Sequence, residues 1–322
     1  MKTIDDLICP LPWHHFYFNS SGRVKACCIA SERVKPVNEK TTNVSQFIKE
    51  NRNHPHLVEV RKSWLRGEVP KTCQICIKDL GTKKILHAIS QTKHLEPCDT
   101  PIVNYPPRHI DYRFDKTCQA YCIMCVPSDS TKWDSIVKHN PKLEKWLNRS
   151  ANIKVDVDYQ WLYDADEIVF LNIAGGEPLL TDRNYDFLHD NMHKIQSLRF
   201  ISNIHDVSDS VFDLIEKYKD KIKITISCDG LGDVYEYIRA GLSWSKFEKN
   251  YKRLCEVLPK DRISVNFVQM KHNEHQIEEF KKYFEGHYLI IRPVHNADHV
   301  HDPEFLELWH QINPNAKPIS AS

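Results

Sequence analysis

Strand-like runs that alternate with amphipathic helices are the feature that most limits how this chain can fold. The runs lie at residues 109–114, 168–173, 198–201, 221–227, 263–268 and 288–292. Between them, apolar residues recur three and four apart: Tyr185, Leu188, Met192 and Ile195; then Val211, Leu214, Ile215 and Tyr218. Phe247, Tyr251 and Leu254 follow a candidate cap at Ser243, and Ile277, Phe280 and Phe284 follow another at Asn273. That spacing gives each helix one apolar face. Repeated strand–helix alternation predicts a parallel sheet with right-handed crossovers. Residues 126–165 form a longer first crossover, with helical pieces at 133–137 and 143–147 split at Pro141.

A chain of 322 residues exceeds the usual single-domain length, so a large domain plus a smaller one is expected. Its formal net charge of +1 offers no basic field for a long nucleic acid. The opening Met1–Ile8 segment lacks a signal peptide's apolar core, and no stretch reaches membrane-span length, which predicts a cytoplasmic protein without a membrane partner. In a reducing compartment, eleven cysteines argue for metal or redox chemistry over disulfides.

Three of these cysteines, Cys118, Cys122 and Cys125, sit on one short loop directly after the run at 109–114. Thiolates select iron–sulfur clusters, zinc or copper(I). Four would close the site, whereas three leave one coordination position for a small molecule. A zinc knuckle completed by a histidine is the alternative.

About fifty residues later, the run at 168–173 leads into Ala174, Gly175, Gly176, Glu177 and Pro178. The CxxxCxxC loop and this GGE turn together resemble the radical S-adenosylmethionine (SAM) superfamily. The resemblance implies a partial (β/α)6 TIM-like barrel and a 4Fe-4S cluster on Cys118, Cys122 and Cys125. It implies also that Gly175, Gly176 and Glu177 hold the SAM amino group. Ser227-Cys228-Asp229-Gly230 with Arg239-Ala240-Gly241 resembles the family's later SAM contacts. It implies Ser227 and Arg239 for the carboxylate and Asp229 or Asn203 for the ribose. One departure is Met124, where the family usually carries an aromatic residue before the third cysteine.

Residues 1–105 read as a separate module, with the barrel domain at 106–322. Turn residues 19–22 between two apolar runs predict a β-hairpin over 14–28, and apolar spacing predicts two short helices between 44 and 67, broken near Pro55. Cys9, the Cys27–Cys28 pair and Cys73 with Cys76 make a four-ligand set, for which a structural zinc ribbon is one reading. CPxPW, GxVxxC and the closing CxxC resemble the twitch module, a shortened SPASM domain. The resemblance implies an auxiliary 4Fe-4S cluster on Cys9, Cys28, Cys73 and Cys76, with Cys27 as the alternative to Cys28. Residues 77–107 read as a linker with a short helix at 83–89 and prolines at its end.

The implied reaction is reductive cleavage of SAM to a 5′-deoxyadenosyl radical that abstracts hydrogen from substrate, with flavodoxin or ferredoxin as electron donor. Trp13, Phe16, Tyr17 and Phe18 on the expected hairpin, with the long crossover, point toward a peptide or protein substrate. A sugar, nucleotide or other small metabolite is the alternative, and a non-catalytic metal-binding module the alternative of another class.

Overall fold

The computed structural model describes residues 8–19, 22–41, 43–74, 76, 98–113, 116–147, 160, 164–295 and 297–314. Seven strands form one sheet in sequence order: β1 (His15–Asn19), β2 (His109–Arg113), β3 (Ile168–Ile173), β4 (Ile195–Ser202), β5 (Ile222–Ser227), β6 (Ile263–Gln269) and β7 (Tyr288–Pro293). The β1–β2 pair and each successive pair from β4 to β7 run parallel. Ile-Val-Phe-Leu-Asn-Ile in β3 and Ile-Lys-Ile-Thr-Ile-Ser in β5 carry the β-branched, mostly buried composition of strands covered on both faces. An α/β fold with sequence-ordered parallel strands has the wiring of a partial (β/α) barrel, as expected, but with one strand more than the six anticipated.

The extra strand corrects the hairpin expectation. Residues 15–19 pair parallel with β2, from His15 opposite His109 to Asn19 opposite Arg113. The returning limb makes only isolated antiparallel bridges, Tyr17 to Lys25 and Val24 to Val34. A five-residue ladder satisfies more backbone donors and acceptors than single bridges do, so the long-range partner wins. Trp13, Phe16 and Tyr17 are 0%, 2% and 8% exposed, so they are core and not a substrate-binding surface. The side chain of Phe18 lies outside the described residues.

By residue contacts the chain forms two compact units. One comprises Met1–Phe114, Asn152–Asn172 and His193–Gln196, and the other Asp115–Ala151, Ile173–Met192 and Ser197–Ser322. In the first, α1 (Val44–Asn51) is capped by Asn43, and α2 (Pro55–Leu65) starts on a proline suited to a first helical turn. These are the two helices expected around Pro55. Fully buried Arg61 donates to the carbonyls of Pro12, Arg52 and Pro101 and to Asn53, so its charge is met by dipoles that tie three loops together. The expected linker helix at 83–89 lies outside the described residues.

In the second unit the helices are α3 (Thr131–His139), α4 (Asp182–Asn191), α5 (Asp209–Lys217), α6 (Asp233–Ile238), α7 (Trp244–Val257), α8 (Ile277–Tyr283) and α9 (Pro303–Ile312). The crossover piece beyond α3 is a 3-10 turn, Pro141–Lys145. Trp133, Val137, Leu143 and Leu147 from this crossover are fully buried against Phe305 and Trp309 of α9. The crossover therefore builds core. Asn273 caps nothing; its side chain accepts from Met270 N and donates to the carbonyls of Asp229 and Val268, joining the ends of β5 and β6. Among the described residues, no helix is long and apolar enough to cross a membrane.

Candidate functional site

The cysteine loop of the second unit is held from several sides. Tyr121 N and Ile123 N donate to the carbonyls of Ala240 and Ile238, at 3.0 and 2.8 Å. Ser130, the cap of α3, donates from Oγ to Ala120 O at 2.7 Å, and Trp133 Nε1 donates to Cys122 O at 2.8 Å. Buried His299 contacts Ile123 O through Nε2 at 2.9 Å, which gives this histidine a structural role. Met124 packs on the same core as Ile123 and Trp133. Fixed backbone carbonyls and amides aim the three side chains before any ligand arrives.

Cys118, Cys122 and Cys125 are free thiols, and Cys118 and Cys125 each lie near enough to Cys122 to feel its charge. Burial pushes Cys118 up to about 12, and neighbouring Cys122 adds to the rise. Burial likewise raises Cys125, with Cys122 and Cys118 contributing, whereas Arg239 partly offsets the burial of Cys122. Such thiols become thiolates only against a strong positive charge, and a metal supplies one.

The GGE turn is fastened to the start of that loop. Glu177 N donates to Thr117 O at 2.8 Å, and Gly176, at φ +55°, leaves no room for a side chain: a Cβ there would lie 2.4 Å from Thr117 O. Gly176→Ala is therefore expected to cost on the order of 3 kcal/mol and to loosen the cysteine loop. Urea denaturation with an iron assay checks this; an unchanged midpoint with full iron retention would contradict it.

Glu177 is 2% exposed, and its carboxylate accepts from Ser202 Oγ (2.6 Å), Leu179 N (3.1 Å) and Asn203 N (2.6 Å). Burial pushes it up to about 7 against those hydrogen bonds. A carboxylate has about four acceptor positions, so three donors leave one for a ligand cation.

Asp229 and Arg239 form a buried ion pair at 2.6 Å. Asp229 Oδ1 accepts from Val268 N at 2.6 Å, and Arg239 Nη1 lies 4.0 Å from Cys122 Sγ. Burial works against the Arg239 charge, but Asp229 more than offsets it, so the guanidinium stays charged beside the thiols. Arg239 Nε has no partner. Ser227 ends β5 opposite Asn266. Gly241, at φ +87°, lets the Arg239-Ala240-Gly241 turn approach Gln119 O, where a Cβ would sit at 3.0 Å.

Sequence reading missed a polar chain beside this turn. Gln119 Nε2 donates to Asp206 (3.1 Å), Asp206 contacts His205 Nδ1 (3.0 Å), and His205 Nε2 accepts from Ser243 N (2.9 Å). Between Asn203 and His205, Ile204 adopts φ 49°, uncommon for a β-branched residue, and Asn250 holds the carbonyls of Ile204 and His205 at 2.8 Å each. No local periodicity announces such a network; the positive φ at an isoleucine is visible only in three dimensions.

The first unit holds the other cysteine group. Burial, then Cys27 and Cys76, push Cys9 up to about 12; burial and Cys27 push Cys76 up to about 11; and Cys73 is raised by burial, Cys27, Cys9 and Cys76. These four thiols thus lie near enough to raise one another. Thr72 joins their two loops, accepting from Ser31 N through its carbonyl (3.0 Å) and from Glu32 N through Oγ1 (3.1 Å). Of the adjacent pair, Cys27 stands in this group. Cys28 lies with His15 and Asp111, one ligand atom of each being within 4.8 Å of the others.

No protein-family model matches the chain, and no curated protein matches its sequence. Among solved structures it is similar to native anSMEcpe with bound AdoMet (14% identity, TM-score 0.41, covering 67% of this chain and 62% of that one). It is also similar to Streptococcus suis SuiB (14%, 0.43, 82% and 57%) and to TYW1 with a lysine-pyruvate adduct bound (17%, 0.34, 60% and 70%). The chain thus spans 62% of the length of anSMEcpe and 57% of that of SuiB.

Proposed function

We propose that this chain is a radical SAM enzyme with an auxiliary iron–sulfur cluster. The observation that carries this reading is the convergence of three free thiols on a loop bolted, through Glu177 N and Thr117 O, to a buried Gly-Gly-Glu turn. Cys118, Cys122 and Cys125 would hold a 4Fe-4S cluster and leave one iron position open for SAM. When bound, the pair supplies one-electron cleavage of SAM and hydrogen-atom abstraction from substrate.

Glu177 offers its last acceptor position to the SAM ammonium, with Gly175 and Gly176 giving the close backbone approach. Ser227 and the unpartnered Nε of Arg239 would hold the carboxylate. Asp229 or Asn203 would take the ribose: Asp229 already meets Val268 N and Arg239, and Asn203 Oδ1 already accepts from His205 N and Gln119 Nε2. Residues 1–105, which also supply β1 to the sheet, would form the twitch-like module, with Cys9, Cys27, Cys73 and Cys76 as auxiliary ligands, and residues 106–322 the rest of the barrel. Flavodoxin or ferredoxin would deliver the electron. With a net charge of +1 there is no field for a polyanion, and a peptide or protein side chain is the first substrate class to test.

Anaerobic reconstitution should give about eight irons per chain, and Cys73→Ala with Cys76→Ala should remove about half of them while some SAM cleavage persists. Stoichiometric zinc without iron would contradict the reading, and unchanged iron in the double variant would refute the auxiliary site. For the substrate, deuterium should pass from a labelled peptide into 5′-deoxyadenosine; transfer only from a sugar or nucleotide would rule the peptide out.

A further inference from the structure

The geometry points to a second kind of metal site in the first unit: His15, Cys28 and Asp111 form a three-ligand site for a single zinc ion, sharing no ligand with either cysteine group. One ligand atom from each of the three lies within 4.8 Å of the others. The parallel register explains the meeting. His15 pairs with His109 and Tyr17 with Asp111, so His15 and Asp111 lie on one face of the β1–β2 ladder, and the bend at 26–29 brings Cys28 to it.

His15 is 2% exposed, and neither of its ring nitrogens has a hydrogen-bond partner. A buried imidazole with two orphaned nitrogens is costly, and a metal bond to one nitrogen removes part of that cost. Asp111, also 2% exposed, is held as a ligating carboxylate would be. Arg113 Nε (3.0 Å) and Asn172 Nδ2 (2.7 Å) both bond Oδ1, while Oδ2 has only Arg113 Nη2 at 3.5 Å. One oxygen is anchored and the other is left for the ion, the usual outer-shell arrangement around a metal-binding carboxylate.

The donor set selects the ion. Imidazole nitrogen, thiolate and carboxylate together suit zinc, and three protein ligands leave a fourth position open. Zinc with one thiolate and one carboxylate is neutral overall. Three cations border it: Lys25 Nζ is bonded to Cys28 O at 2.9 Å, Arg52 Nη1 to His15 O at 3.0 Å, and Arg113 to Asp111, more closely through the anchored oxygen. The site rests on this geometry alone, whatever the cysteine clusters hold.

The test uses the full chain with its clusters, purified anaerobically, exposed to zinc sulfate and dialysed free of excess. Elemental analysis should find about one zinc per chain besides the iron. The zinc K-edge spectrum should show one sulfur near 2.3 Å with nitrogen and oxygen near 2.0–2.2 Å. His15→Ala should lower zinc at least about tenfold and leave iron unchanged, and Cys28→Ala should do the same. Absence of zinc from the wild-type chain, a first shell of four sulfurs, or iron loss in place of zinc loss in Cys28→Ala would each overturn the proposal. The wild-type spectrum decides the matter even if the buried His15→Ala variant fails to fold.

Discussion

Cys122→Ala is expected to abolish SAM cleavage and to remove about four of about eight irons. Cys122 is the middle thiol of its loop, and the backbone around it is fixed by the Cys125 N to Cys122 O bond (2.9 Å) and by Trp133 Nε1. Removing it leaves two thiols, Cys118 and Cys125, where the cluster needs three. Loss of an outer-shell partner alone usually costs 10- to 100-fold in metal affinity, so loss of a ligand should lower turnover by more than about 100-fold. Arg239 would meanwhile lose the thiolate beside it, while its pair with Asp229 holds it in place. Retention of the full iron content with normal 5′-deoxyadenosine formation would remove Cys122 from the site.

The second large effect is a pH dependence set by Glu177. Its carboxyl is raised from 4.5 to about 7 by burial, so the fold favours the protonated acid. The associated stability is fully present below about pH 4.5 and is lost as pH rises through 7, on the order of 3 kcal/mol in the ligand-free protein. An ammonium ligand needs the carboxylate, so below pH 7 binding must expel this proton. SAM affinity should therefore rise up to about tenfold per pH unit between pH 5.5 and 7 and level off above. Calorimetry in buffers of different ionisation enthalpy should record about one proton released near pH 6. Glu177→Gln should bind SAM at least about tenfold more weakly at pH 8 and lose the slope. A wild-type affinity that is flat with pH would mean that Glu177 does not meet the ammonium.

What the sequence shows of this fold follows from how far apart in the chain its causes lie. Strands β3 to β7 and helices α4, α5, α7 and α8 are local patterns and fall at the places expected of them, except that Ile195, read as the last apolar residue of the α4 stripe, begins β4. The parallel partnership of β1 with β2 joins residues about ninety positions apart, and no local period carries that information. A turn signal at 19–22 suggested the nearer partner, and the longer ladder prevailed.

The site divides the same way. The spacing of Cys118, Cys122 and Cys125 and the following Gly-Gly-Glu are sequence-local, and the structure brings them together through Thr117 and Gly176. By contrast, the Asp229–Arg239 pair is a tertiary arrangement, as are the His205 network and the separation of Cys27 from Cys28. Asn273 shows the limit well: its position before α8 suggests a cap, but two carbonyls and an amide from the β5 and β6 ends compete for its side chain.

The most direct test of the central claim is anaerobic incubation of the reconstituted protein with SAM and dithionite, followed by quantification of products. 5′-Deoxyadenosine and methionine are expected in equal amounts, dependent on dithionite and absent in Cys122→Ala. Intact SAM in the presence of a fully loaded cluster would contradict it.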